Sequence, residues 1–141
     1  MGATLLEQGN PAQSIPYLEH ALWTDTTSAF TYALLASAYG QAGRRDYAEG
    51  AARAAVMRAG RDPAIQVLSA RGLLAAGDLE GAEQMLGNAV RIDPRDPESW
   101  TRLAIVQARR GRRTEALTSV KQALALAPDY PPAREAFGRL R

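Results

Sequence analysis

Cysteine is absent from this chain, and histidine and lysine occur once each, as His20 and Lys121. Without thiols there are no disulfides, no thiolate metal sites and no cysteine nucleophiles. One imidazole cannot build a histidine-assisted nucleophile or an imidazole-rich metal cage. His20 therefore reads as a surface or packing residue. A glycine-rich phosphate loop with its lysine is missing too. Aromatic residues make up 6% of the sequence, and no apolar run approaches the ~18 to 20 residues of a membrane span. The start lacks the charged-then-apolar pattern of a secretory signal. A cytoplasmic location is favoured, with a periplasmic one open if the chain was excised from a longer one.

Charge of one sign is also in short supply. The net charge is +2, and division after Ala70 gives 5 basic against 6 acidic residues before and 12 against 9 after. That asymmetry is too small to imply nucleic acid by itself. Arginine outnumbers lysine 16 to 1, which fits coding bias in a GC-rich, bacterial genome. Carboxylates remain the one catalytic option. Asp93, Asp96 and Glu98 flank Pro94 and Pro97, however, where they cap and start helices, and Asp78, Glu80 and Glu83 crowd a helix start that favours negative charge. An enzyme is not expected, and no cofactor or metal is implied.

What the chain does contain is a period. Gly9, Gly43, Gly77 and Gly111 stand 34 residues apart, which marks a stacked repeat array. Five residues after each come Ser14, Ala48, Ala82 and Ala116, and twelve after come Ala21, Ala55, Ala89 and Ala123. Positions seven apart share a helix face, so these small residues let a neighbouring helix approach closely. Each glycine is the left-handed residue that follows a helix. Pro94 and Pro128 stop helices, Gly60 does the same in another unit, and Pro63, Pro97 and Pro131 open new ones. Asp62 and Asp96 are their N-caps. Apolar spacing between these stops predicts helices near 11–23, 29–42, 45–58, 63–76, 79–92, 97–110 and 113–126. A short helix near 3–8 precedes them, another follows from 131, and no strand is expected. Pro16 removes one backbone bond inside its helix.

The units at 29–62, 63–96 and 97–130 resemble the tetratricopeptide repeat family, whose unit is a 34-residue helical hairpin. Trp100, Leu103, Ala104, Gly111, Ala116, Ala123 and Pro128 fall on that family's pattern, as do Tyr32, Leu35, Ala36, Tyr39, Gly43, Ala48 and Ala55. Residues 1–28 match the end of a unit, and 131–141 match a half-repeat that caps the array. Gln107 departs from the pattern by placing a polar residue where Tyr39 and Leu73 stand in the other units. The resemblance implies one all-α domain over 1–141, a right-handed α-solenoid whose concave groove binds a peptide or partner protein.

By that resemblance the groove is lined by Phe30, Ala33, Leu34, Ser37 and Gln41 on one helix. The next contributes Ala64, Val67, Leu68, Arg71 and Ala75, and the one after it Glu98, Thr101, Arg102, Ile105 and Arg109. A mix of apolar residues and arginines suits an acidic partner with apolar anchors, Arg71 and Arg102 both reaching one peptide. Relatives that clamp the carboxy-terminal tails of chaperones use Lys, Asn and Arg. The matching places here carry Ala33, Ser37, Leu68, Glu98 and Arg102, and only Arg102 fits. Arg109, Arg110, Arg112 and Arg113 form the one dense basic cluster, a solvated turn or a patch for an acidic partner. No aromatic residue lies beside it, which disfavours single-stranded nucleic acid. The alternative role is an accessory segment of a larger enzyme or an envelope-assembly complex. Finally, a short first helix is expected to leave Leu5, Leu6, Ile15, Leu18 and Leu22 poorly covered, an edge for self-association or for preceding repeats.

Overall fold

The computed structural model describes residues 1–141. It contains nine helices and no strand: α1 (Gly2–Glu7), α2 (Pro11–Thr24), α3 (Ala29–Gln41), α4 (Arg45–Ala59), α5 (Pro63–Ala75), α6 (Leu79–Ile92), α7 (Pro97–Arg109), α8 (Arg113–Leu126) and α9 (Pro131–Leu140). Their ends lie within one or two residues of those expected from the stops and caps. Consecutive helices pack as antiparallel pairs, α3 on α4, α5 on α6 and α7 on α8, and each pair leans on the next. The result is an α-solenoid. No helix is long and apolar enough to cross a membrane.

The 34-residue period has a backbone cause. Gly9, Gly43, Gly77 and Gly111 are the only residues with positive φ, between 78° and 84°. At Gly43 the glycine N–H donates to Gly40 O (3.1 Å) and the Arg44 N–H reaches back to Tyr39 O (2.8 Å). Those two bonds close a helix with a left-handed glycine. The same pair recurs at the other three glycines. On the starting side, the Asp62, Asp78 and Asp96 carboxylates and the Ser28 hydroxyl accept backbone N–H groups of the first turns.

The core is built largely from alanine. Ala33, Ala36, Ala38, Ala48, Ala52 and Ala55 are all fully buried in one hairpin. Between α3 and α5 the packing goes further, to contact between backbones. A Cβ added at Gly40 would lie 2.1 Å from Gly72 O, and one at Gly72 would lie 2.4 Å from Ala36 C. One period later, Leu74 and Val106 occupy the places of Gly40 and Gly72. No comparable approach joins α5 to α7.

Polar groups inside the array are mostly paired. Gln107 accepts the Ser119 hydroxyl at 2.7 Å, so the polar departure in the third unit becomes a link between α7 and α8. Tyr39 is 8% exposed and donates its hydroxyl to Glu19 Oε1 at 2.5 Å, tying α3 to α2.

At the amino-terminal end the expected open edge is corrected in part. Ile15 and Leu18 are 7% and 5% exposed and belong to the main core, while Leu5, Leu6 and Leu22 are half-buried. The cover comes from α1, which does form. Gly2 lets α1 sit on α2 so closely that a Cβ there would meet Leu18 Cγ at 2.8 Å. Packing supplies what six residues of helix lack alone.

The glycine contacts and the buried phenol can each be tested. Nothing lies within 4 Å of a Cβ at Gly77, so Gly77→Ala costs only the left-handed backbone, about 1 to 2 kcal/mol. Gly72→Ala must also push α3 from α5 and should reach or pass the upper end of the ~1 to 3 kcal/mol typical of overpacking. Equal losses in urea titrations of the two variants would contradict a backbone-to-backbone crossing. The Tyr39 phenol is held well above its usual range by burial and then by its bond to the Glu19 carboxylate. A raised folded-state pKa means the neutral phenol's contribution is complete below about pH 10 and is lost as pH rises beyond it. Tyr39→Phe should flatten the fall of Tm above about pH 10; an unchanged alkaline slope would argue against the buried pair.

Candidate functional site

The first helices of the hairpins, α3, α5 and α7, together with α9, line one face of the solenoid. Its three sections differ. Between α3 and α5 there is no groove: Ala33, Leu34 and Ser37 are 0%, 9% and 3% exposed. Ser37, expected on the groove surface, lies instead within the helix packing, because the Gly40–Gly72 crossing leaves no space above it. Ser37 Oγ meets only Gln41 Nε2, at 3.2 Å. Phe30, 57% exposed, and Gln41 flank this closed section.

Between α5 and α7 the face opens into a cavity of about 340 Å³ lined by Val67, Leu68 and Arg71 on one wall and Asp93, Asp96 and Glu98 on the other. The larger Leu74 and Val106 hold these helices apart. The charge here differs from the expectation. Arg102 is paired with Glu98 of its own helix at 2.8 Å, one turn away, so its charge is already answered. Thr101, the other α7 residue expected in the groove, is 3% exposed and donates its hydroxyl to Pro97 O at 2.8 Å. Asp93 and Asp96 accept the N–H groups of Arg95 and Glu98 (3.2 and 3.1 Å). Arg71 is exposed and has no ion pair.

The third section, between α7 and α9, is more apolar. A cavity of about 420 Å³ is lined by Ile105, Ala108 and Arg109 on α7 and by Pro132, Ala136 and Leu140 on α9. Ile105 is 37% exposed. Arg139 on the far wall is paired with Glu135 at 2.6 Å, whereas Arg109 is exposed and unpaired. The α9 wall is not evident from sequence, where the amphipathic end reads only as a cap.

The basic cluster is partly neutralised. Glu83 on α6, its side chain 13% exposed, holds Arg110 at 2.5 Å and Arg112 at 3.0 Å. These pairs bind the α7–α8 turn to the preceding hairpin, so two of the four arginines are structural. Only Arg109 among them faces the groove cavity.

The family model for the tetratricopeptide repeat matches residues 73–140. No curated protein sequence matches the chain. Among solved structures, the thermophilic tetratricopeptide repeat protein TTC0263 of Thermus thermophilus is 27% identical, with a TM-score of 0.79 over 99% of this chain and 77% of that one. PilF of Pseudomonas aeruginosa is 24% identical, with a TM-score of 0.81 over 99% of this chain and 64% of that one. YrrB, described as a tetratricopeptide repeat protein with an unusual peptide-binding site, is 18% identical, with a TM-score of 0.77 over 96% and 70%. The repeat signature matched in 73–140 and the same helical hairpins upstream of it lead to one assignment: residues 73–140 carry the tetratricopeptide repeat, and the chain as a whole has the fold of a tetratricopeptide repeat solenoid.

Proposed function

We propose that the chain is a non-catalytic scaffold that holds a peptide or a partner protein along the concave face from α5 to α9. The observation that carries this reading is the pairing of an unanswered arginine with wholly or partly exposed apolar side chains in each open section. Arg71 stands beside Val67 and Leu68, and Arg109 beside Ile105. Exposed apolar area beside an uncompensated charge costs the free protein and is recovered when a partner covers both. Helices packed ~8 to 10 Å apart bring both sections within reach of one short peptide. Its apolar anchors would enter the two cavities. Its carboxylates would meet Arg71 and Arg109, and a basic group would suit Asp93, which has no ion pair.

The reading places the site on five residues of the expected set, Val67, Leu68, Arg71, Ile105 and Arg109. Protein–protein interaction is the usual role of this fold, and the neighbour YrrB is described as having a peptide-binding site. The partner chemistry rests on this chain's own groove.

Panning a random peptide library on the immobilised chain and titrating the selected peptides by calorimetry tests it. Val67→Glu and Ile105→Glu should each weaken a selected peptide by about tenfold or more, the scale of one buried anchor. Arg71→Ala should weaken acidic peptides more than neutral ones. Arg71 and Ile105 are exposed, so Tm should move little there, whereas half-buried Val67 packs against the main core and its glutamate variant should lower Tm, so its affinity is read well below that Tm. Selected peptides whose affinity survives both glutamate variants would place binding away from this face.

A further inference from the structure

A second cleft lies on the opposite, convex face, between α2 and α4, with α3 as its floor. Its volume is about 560 Å³, and it gathers four of the chain's nine aromatic residues, Trp23, Tyr32, Tyr39 and Tyr47. Trp23 is 82% exposed and Tyr47 62% exposed. Tyr47 tilts against the Tyr39 ring, with centroids 5.2 Å apart, yet most of its surface and of Trp23 stays in water, which forgoes a large burial gain.

The cleft also contains two carboxylates, Glu19 and Asp46. Neither has a cationic partner within 4 Å, although the chain forms seven ion pairs elsewhere. Glu19 receives only the neutral Tyr39 hydroxyl. The surrounding arginines, and the single histidine, stand at the rim. Arg58 lies over the Tyr32 ring, 4.2 Å from its centroid, and is committed to the Thr26 and Ala54 carbonyl oxygens at 3.1 and 2.9 Å. Arg44 approaches Tyr47 at 5.6 Å, and the His20 ring lies 5.5 Å from that of Trp23.

Gly50 completes the cleft. It sits inside α4 with ordinary helical backbone, and a Cβ there would meet nothing within 4 Å. Neither φ nor crowding demands glycine at this position. Its effect is to keep the α4 wall low.

We propose that this convex cleft binds a peptide segment carrying an arginine or lysine next to an apolar residue. The cation would lie against the Trp23 and Tyr47 rings, where aromatic faces attract positive charge, with Glu19 and Asp46 as its counter-ions. The apolar neighbour would cover Leu22 and the exposed edge of Trp23. Exposed rings alone would equally suit stacked bases, but two unpaired carboxylates among them oppose a phosphate backbone. Charge complementarity therefore decides for a basic peptide.

The test uses the full chain, labelled with ¹⁵N, and follows the Trp23 indole N–H, assigned by its loss in Trp23→Phe. The probes are acetylated, amidated Leu-Xaa-Leu tripeptides with Xaa as Arg, Gln or Glu, and an octathymidylate. The arginyl peptide should give a saturable shift at Trp23 and bind about tenfold or more tighter than the glutaminyl one. The double variant Glu19→Gln with Asp46→Asn, which keeps an acceptor for Tyr39, should erase most of that difference. Gly50→Leu should fill the cleft and abolish the shift while holding or raising Tm, since leucine favours a helix over glycine. Equal binding of the glutaminyl peptide, preference for the glutamyl peptide or the oligonucleotide, a shift that survives Gly50→Leu, or no saturable shift at all would each overturn the proposal. Ile105→Glu, which blocks the concave face, should leave the titration unchanged, so failure of one site is distinguishable from failure of the other.

Discussion

How closely two helices can approach is set by the side chains between them, and in this array that distance controls everything presented on the surface. Gly40 and Gly72 bring α3 and α5 into backbone contact, which helps to bury residues 33–40 of α3 and closes the groove above them. One period later Leu74 and Val106 stand in the same places, and the face between α5 and α7 opens. The backbone of each unit is nearly the same, closed by the same left-handed glycine. Groove shape is thus decided by a few interface volumes and not by the fold. Interiors are packed too densely to absorb a methyl group without movement, so a single substitution at such a crossing redraws the face above it.

Charge follows a similar logic of what is already answered. The chain carries 17 basic residues, yet several of the arginines that look available in sequence are engaged. Arg102 is matched by Glu98 on its own helix, and Arg110 and Arg112 converge on Glu83. The last two pairs are partly buried and cross between hairpins, so their geometry is fixed by packing as well as by attraction. An exposed pair such as Arg139 with Glu135 contributes little to stability, but it still removes a charge from the set a partner meets. In the three clefts described, the charged side chains without an ion pair are Arg71, Arg109, Asp93 and Asp96 on one face and Glu19 and Asp46 on the other.

Most of the architecture is legible in the sequence because it depends on local chemistry. Gly43 and Gly77 end helices wherever the chain goes next, and Asp62 or Asp96 caps a helix through N–H groups only two residues away. The Arg102–Glu98 pair is legible as well, being one turn apart on a single helix. Its effect on the groove is missed when Arg102 is weighed alone. The remainder needs three dimensions. Gly40 and Gly72 read as weak points in two separate helices until the helices are seen to cross there. Glu83 reaches arginines 27 and 29 residues away, across a turn and a hairpin. Burial of Ser37 and of Ile15 and Leu18 likewise depends on neighbours, α5 in one case and the short α1 in the other.

The two faces then differ in what stability alone can explain. An alanine-rich core limits how much apolar area each residue removes from water, at ~25 cal/mol per Å², so unburied aromatic rings are a comparatively large forfeit here. Tyr39 and Trp100 meet that constraint in the usual way, with the ring largely packed and its polar atom bonded, Trp100 Nε1 to Pro94 O at 2.9 Å. Trp23 and Tyr47 do not, and Gly50 between them weakens a helix for no conformational return. Departures of that kind concentrate where a surface serves something other than folding. On the concave side the departures are Arg71 and Arg109 beside aliphatic groups that are only partly covered; on the convex side they are rings beside carboxylates. The concave side mixes both signs, with Arg71 opposite Asp93 and Asp96, whereas the charged side chains lining the cleft between α2 and α4 are carboxylates alone, so the two proposed sites differ in the charge they would ask of a partner.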